Sequence, residues 1–290
     1  MDAGTFAKRP SGFTLIELLV AVVIASVLTS AMVSFFATQM RFRSDTDLQA
    51  EAHQGKIAAI DALTRDIRLA GACLPTQPVF VPMANSNGTT DNITLRTGVM
   101  SATTACVVTT LTADANANTT TLSVNDLTGF TVNGRGFVSD TVNGELFTIS
   151  ALSGSTGPGT ITTTQPVSRR YVSVSGVYAL QERKYSIDAV TYAPIPTLVR
   201  SIDGQAGVPI AAGIVALDIR YRLTAGCPNC TVVPVPANNP EWNQVSEVRV
   251  TITAQSPRRL SGGAFYNEDP TTVFVQPRNL LAYRASGNDA

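Results

Sequence analysis

Twenty-three consecutive residues, Leu18 to Met40, carry no charged side chain, and the run contains neither Gly nor Pro. At a helical rise of 1.5 Å per residue such a stretch spans about 35 Å, enough to cross the roughly 30 Å hydrocarbon core of a bilayer. Lys8 and Arg9 precede the run, and Arg41-Phe42-Arg43 follows it. The leading basic pair places the N-terminus in the cytoplasm and everything beyond Arg41 outside. A secretory signal has a shorter apolar region, with a small-x-small cleavage site after it. Here the order is reversed, because Pro10-Ser11-Gly12 stands before the apolar run. A cut after Gly12 leaves the apolar segment in the mature protein, with Phe13 as its first residue.

Glu17 sits at the edge of this apolar run. A carboxylate in hydrocarbon is costly and marks function unless it snorkels to the headgroups. Cleavage at Gly12 creates a positively charged α-amine on Phe13, which can neutralise Glu17 within one chain or between neighbours. In a packed apolar bundle a buried polar pair also sets axial register. The stretch Gly12-Phe13-Thr14-Leu15-Ile16-Glu17-Leu18-Leu19-Val20-Ala21, next to a basic leader, resembles the cleavage and methylation motif of type IV prepilins. The resemblance implies cleavage after Gly12 by a membrane aspartic prepilin peptidase and N-methylation of Phe13. It also implies that Glu17 pairs with the terminal amine of an adjoining subunit. Many major pilins carry a helix-bending proline in the span, and this chain has none there.

Beyond Arg43 the pattern becomes amphipathic. Ile57, Ile60, Leu63 and Ile67 recur at helical spacing, with Lys56, Asp61, Arg65, Asp66 and Arg68 expected on other faces. Gly71 reads as the C-cap, and Pro75 prevents continuation. The expectation is one helix from about Leu15 to Ala70, membrane-spanning over 13–40 and amphipathic over 41–70.

The rest of the chain is rich in Thr, Val, Ser, Asn and Gly, a composition of strands and turns. In 213–223, Val215, Leu217, Ile219, Tyr221 and Leu223 alternate with Asp218, Arg220 and Arg222. In 245–255, Val248, Val250, Ile252 and Ala254 alternate with Glu247, Arg249, Thr251 and Thr253. Strict period two predicts half-buried antiparallel sheet. Further strands are expected at 93–99, 119–124, 145–150, 171–180, 184–192 and 197–202, with turns at Asn87-Gly88, Asn143-Gly144 and Asp203-Gly204. The Ala/Thr/Asn-rich stretch 101–128 and the Gly/Ser/Thr-rich stretch 153–165 read as decorated loops or an inserted hairpin. The predicted class is α+β: a cleaved leader over 1–12, a long N-terminal helix, and a β-rich head over 71–290 with an insertion near 101–165.

Formal net charge is zero, and the first 70 residues carry seven basic and seven acidic side chains. Neither part has the basic excess that non-specific nucleic-acid binding requires, and Arg169-Arg170 and Arg258-Arg259 are the only local basic pairs singled out. The single histidine, His53, falls on the predicted helix, so a Ser-His-Asp or Cys-His constellation has nothing in the head to build on. Gly134-Arg135-Gly136 lacks the rest of a phosphate-binding fingerprint and reads as a turn. Asp91-Asn92 and Asn267-Glu268-Asp269 lack EF-hand spacing. No enzyme activity, metal or cofactor is expected. Cys227-Pro-Asn-Cys230 follows a strand with no helix after it, which favours a loop-pinning disulfide over a redox motif. Cys73 and Cys106 are then left to pair, with the other connectivities open.

A second resemblance lies in the head. Ile214–Tyr221, Trp242-Asn-Gln-Val245, Val248-Arg-Val-Thr-Ile252 and Phe274-Val-Gln-Pro-Arg278-Asn279 resemble minor pilins of the PilW and type II secretion GspJ group. This implies a low-abundance subunit held in the inner membrane, its head in the periplasm, that moves to a pilus of the kind used in twitching motility. Its implied partners are other minor and major pilins and a PilY-type tip adhesin. A minor pseudopilin of a secretion system, or a head that adheres or contacts DNA, are the alternatives.

Overall fold

The structure, a computed structural model, describes residues 14–75, 83–88, 90–101, 106–140, 142–224, 230–237, 241–242 and 244–277. It is a long N-terminal helix followed by an antiparallel β head, the α+β, pilin-like architecture that the sequence predicts.

Helix α1 (Leu15–Leu69) runs unbroken for 55 residues, about 80 Å. It ends where Gly71 takes a left-handed conformation (φ 81°) that a Cβ would disfavour. The chain is captured immediately by β2 (Asn92–Gly98): Gly71 N–H donates to Arg96 O (2.7 Å) and Gly98 N–H to Ala72 O (2.7 Å). A Cys73–Cys106 disulfide, with Cα atoms 5.4 Å apart, closes the same corner.

The first sheet is built on β8 (Gly176–Asp188). On one side β2 pairs with its second half, and β1 (Met83–Ser86) extends that edge; β3 (Val108–Thr110) pairs with its start. On the other side β5 (Arg135–Ser139) takes the first half and β9 (Thr197–Ile202) the second. From β5 the sheet continues through β6 (Gly144–Leu152) and β7 (Gly159–Thr163) to β4 (Thr121–Val124), while β10 (Val208–Ala212) lies on β9. Gly213 then turns the chain directly into β11 (Ile214–Leu223), which starts the second sheet. Its φ is +75°, and a Cβ there would lie 2.4 Å from Gln255 O, so only glycine fits this corner. The second sheet pairs β11 with β12 (Val232–Val233) and with β13 (Val245–Arg259), which also carries β14 (Phe265–Asn267) and β15 (Thr271–Val275).

Two cores result. The first joins Leu63 and Ile67 of α1 to Leu217, Ile219, Val250 and Ile252 of the second sheet and to Ile93, Leu95 and Tyr185 of the first. The helix can come this close because of Gly55, where a Cβ would meet Ala212 O at 2.8 Å. The second core has no helix residue. Leu122, Val124, Leu127, Phe130, Val138, Ile149, Ile161 and Tyr171 fill it.

The structure differs from the sequence reading at several points. Ile57 is half exposed, whereas Lys56 and Asp66 are buried, so the packed face is Leu48, Ala52, Lys56, Ala59, Leu63, Asp66 and Ile67. The two charges are buried because the head supplies partners for them. Ile214 rather than Val215 faces the core, because a bulge between Ile214 and Ala216 shifts the register. The strands expected at 171–180 and 184–192 are one strand, β8; Gln181 to Arg183 are polar but bond across the sheet. Arg135 and Gly136 belong to β5 rather than a turn. The missing side chain of Gly136 accommodates the ring of Phe147, which a Cβ would meet at 2.3 Å. β4 falls where a strand is expected at 119–124, but the stretches read as decorated loops or an inserted hairpin also hold β3 and β7, and they contribute Leu111, Leu122, Val124 and Ile161 to the second core. Asp91 is buried and accepts the Ile219 N–H (2.7 Å), tying the β1–β2 connection to β11.

Burial pushes the phenols of Tyr171, Tyr185 and Tyr221 above their ordinary value near 10. Above that pH the unfolded chain releases phenolic protons that the folded chain retains, so stability falls as pH rises. Urea midpoints are therefore expected to be flat from about pH 8 to 9.5 and to drop progressively above about pH 10. A midpoint that stays level through pH 11.5 would contradict this.

Candidate functional site

The N-terminal end of α1 is closed by a reciprocal cap. Thr14 is the N-cap, its Oγ1 accepting the Glu17 N–H (3.3 Å). Glu17 reaches back, its Oε2 accepting the Thr14 backbone N–H (3.0 Å) and the Thr14 hydroxyl (2.8 Å). Thr-x-x-Glu before an apolar run is the capping-box pattern, a local signal carried by the sequence itself. Both bonds use Oε2, and Oε1 carries no hydrogen bond among the described residues. One oxygen therefore stays available to a cationic partner beside the helix terminus. Gly12 and Phe13 lie outside the described residues.

From Leu15 to Phe42 sixteen large apolar side chains are between 49% and 81% exposed, and no head residue covers them. Burying each is worth about 1.5–3 kcal/mol, so this surface requires lipid or other helices around it. The polar groups are already matched to such surroundings. All five hydroxyls of the span, those of Ser26, Thr29, Ser30, Ser34 and Thr38, donate to carbonyls three or four residues earlier at 2.7–3.0 Å.

The second half of α1 is fastened to the head at three levels. Asp45 accepts the Ser261 N–H (2.8 Å) and hydroxyl (2.5 Å), which together hold its carboxyl below the usual range. Lys56 Nζ and His53 Nδ1 converge on Glu268 Oε1 at 2.7 and 2.6 Å, and Lys56 also donates to Asp269 O (3.3 Å). Burial pushes the Glu268 carboxyl up, but the bonds from Lys56 and His53 outweigh it and hold the group low. Asp66, only 1% exposed, pairs with Arg183 Nη1 (2.9 Å) and accepts the Tyr185 hydroxyl (2.7 Å), with Arg200 at 3.8 Å. These anchors join α1 to β13–β14, to the approach to β15, and to β8 and β9. They fix the rotation and height of the helix on the head. None was foreseen, because each partner is more than 100 residues away in sequence.

The structure pairs Cys73 with Cys106. Cys230 is also disulfide-bonded, and no described cysteine is free; Cys227 lies outside the described residues. Among the described residues no three His, Cys, Asp or Glu side chains form a metal-ligand group. The basic pair Arg169-Arg170 is engaged locally, with Asn143 and Asp114.

Residues 7–33 match the family of the prokaryotic N-terminal methylation motif. The match covers Gly12, Phe13, Glu17 and most of the exposed apolar span. It supports a type IV prepilin-like protein, with processing by a prepilin peptidase and assembly with other pilins. The apolar helix and the motif together fit anchoring in the inner membrane followed by entry into a pilus. No curated protein matches the chain.

Proposed function

We propose that this chain is a structural minor pilin, held in the inner membrane as a precursor and then built into a type IV filament. The observation that carries the reading is the division of α1. Its first half presents an unbroken apolar surface with matched hydroxyls, while its second half is clamped to a β head at Asp45, Lys56 and Asp66. Such a molecule offers one half to lipid or to neighbouring helices and displays the other outside. The prepilin peptidase cuts after Gly12, Phe13 is N-methylated, and the head sits in the periplasm. Glu17 Oε1 then meets the terminal amine of an adjoining subunit, while Oε2 keeps the cap.

The finer assignment is a subunit of the PilW and GspJ group, acting in a tip complex with other minor pilins and a PilY-type adhesin. Ile214–Tyr221, Val248–Ile252 and Phe274-Val275 of that resemblance lie side by side in the second sheet, in β11, β13 and β15; Arg278 and Asn279 lie outside the described residues. Trp242 packs edge-on against Tyr221 with ring centroids 4.9 Å apart. The role is structural rather than enzymatic.

Intact-mass and N-terminal peptide analysis of protein from its native membrane tests the processing. A mature chain beginning at N-methylated Phe13 is expected; one beginning near Met1 would overturn the reading. Assembly is tested with Glu17→Ala. Membrane insertion should persist while incorporation into filaments falls by at least about tenfold, the effect of losing one buried charge pair. Normal incorporation of the variant would exclude amine pairing. A pseudopilin role would show as recovery with a secretion apparatus instead of pili.

A further inference from the structure

Asp45 is the first residue of α1 bonded to the head among the described residues, and it lies five residues past Met40, the end of the apolar run. Five residues of helix rise about 7.5 Å. The headgroup layer of a bilayer is about 5–7 Å deep on each side of its hydrocarbon core. Ser261, which bonds Asp45 from the turn between β13 and β14, therefore sits at the outer edge of the lipid headgroups when the span is in a membrane, within reach of an arginine side chain. That turn follows Arg258 and Arg259, both exposed. Arg259 is held in place, its Nη1 donating to Gly263 O (2.7 Å) and its guanidinium 4.9 Å from the Phe265 ring centroid. The tip of the turn is open, since a Cβ at Gly262 or Gly263 would meet no atom within 4 Å.

The helix adds to this charge. Arg41 lies one turn before Asp45 on the same face, beneath the hairpin, and Arg43 lies across the helix; both are exposed. None of the four arginines is in an ion pair among the described residues. The acids at this level are Asp45, whose oxygens are taken by Ser261, and Asp47, which lies one turn past Arg43 on its face, so two acids stand against four arginines. An excess of positive charge at the outer end of a span runs against the usual distribution of basic residues, which favours the cytoplasmic side.

We propose that the β13–β14 hairpin is a membrane-docking surface. Arg258 and Arg259, with Arg41 and Arg43 around the helix, engage the phosphates of anionic lipids in the outer leaflet and hold the head against the bilayer until the subunit enters a filament. The inference rests on the membrane-spanning reading of α1. Phosphate-rich headgroups are the complementary partner because the arginines of the hairpin and of the helix meet beside that layer.

The test is hydrogen exchange of the full-length chain in nanodiscs of phosphatidylcholine alone and with about a quarter phosphatidylglycerol. Backbone amides of 259–264 are expected to exchange about fivefold to tenfold more slowly in the anionic discs. High salt should remove the difference. Arg258→Gln/Arg259→Gln should abolish it while leaving the amides of β11 and of 245–254 unchanged, which controls for folding. Equal exchange in the two lipids would overturn the proposal and leave the span reading intact. Protection that depends on protein concentration rather than lipid charge would overturn it in favour of a second copy of the chain. Failure of the wild-type chain to enter discs would overturn the span reading and the proposal together.

Discussion

Asp66→Ala is expected to destabilise the protein by about 3 kcal/mol, the lower end of the cost of breaking a buried ion pair. The carboxylate is 1% exposed and accepts from both Arg183 and Tyr185, with Arg200 at 3.8 Å. Removing it strands two guanidinium groups and a buried phenol on the underside of the helix. Arg183 and Arg200 are 24% and 25% exposed, so water offsets part of the loss, which is why the lower end applies. In a domain of this size the melting temperature should fall by roughly 6–12 °C. Asp61→Ala, one turn away on the exposed side of the same helix, should stay within about 0.5 kcal/mol. Asp66→Asn should fall between the two, because an amide oxygen still accepts the Tyr185 hydroxyl. Denaturant melts of the detergent-solubilised chain measure all three. A loss under about 1 kcal/mol for Asp66→Ala would mean that the cluster is not what seats the helix. Combining Asp66→Ala with Arg183→Ala should cost less than the sum of the single changes, since Arg183 is then not left without its carboxylate.

The second large effect is expected from Cys73→Ser/Cys106→Ser. The disulfide closes a 33-residue separation, for which restriction of the unfolded chain contributes about 3.5 kcal/mol. Its position makes the loss local first. It clamps the end of α1 to the start of the inserted lobe, at the corner where Gly71 and Gly98 bond to Arg96 and Ala72. A Cβ on Gly98 would lie 2.6 Å from the Cys73 Cβ, so the two backbones are in direct contact there. Exchange of the amides of 69–75 and 96–98 should accelerate before the β11–β13 core responds. Substitution rather than reduction isolates this bridge from that of Cys230. If the double variant melts within about 0.5 kcal/mol of the parent, the corner is held by its hydrogen bonds alone.

Burial of charge along α1 shows where sequence reading stops. Leu63 and Ile67 were recognised as packed, and they are fully buried. Lys56 was assigned to an outer face, yet it is buried against Glu268, and Ile57 beside it is half exposed. Periodicity ranks side chains by their preference for water and takes no account of a compensating charge arriving from elsewhere. The inserted lobe is a similar case. Strand β4 lies where the sequence pattern predicts one, but β3 and β7 are only three and five residues long, too short for alternation to stand out among threonines. Together they still close a core, because Phe130, Phe147 and Tyr171 are contributed from outside them.

Local chemistry is enough to set a continuous helix, an uncharged span, a carboxylate at its threshold, and alternating strands that make an antiparallel head. These depend on neighbours within a few turns, so they are written where they act. Which helix face is buried, where the chain passes from one sheet to the other at Gly213, and how far down the helix the head reaches are settled by long-range packing. Those outcomes depend on pairs such as Asp45–Ser261, Lys56–Glu268 and Asp66–Arg183. Each joins residues more than 100 positions apart, and their electrostatic and packing energies arise only once folding has brought both partners into contact.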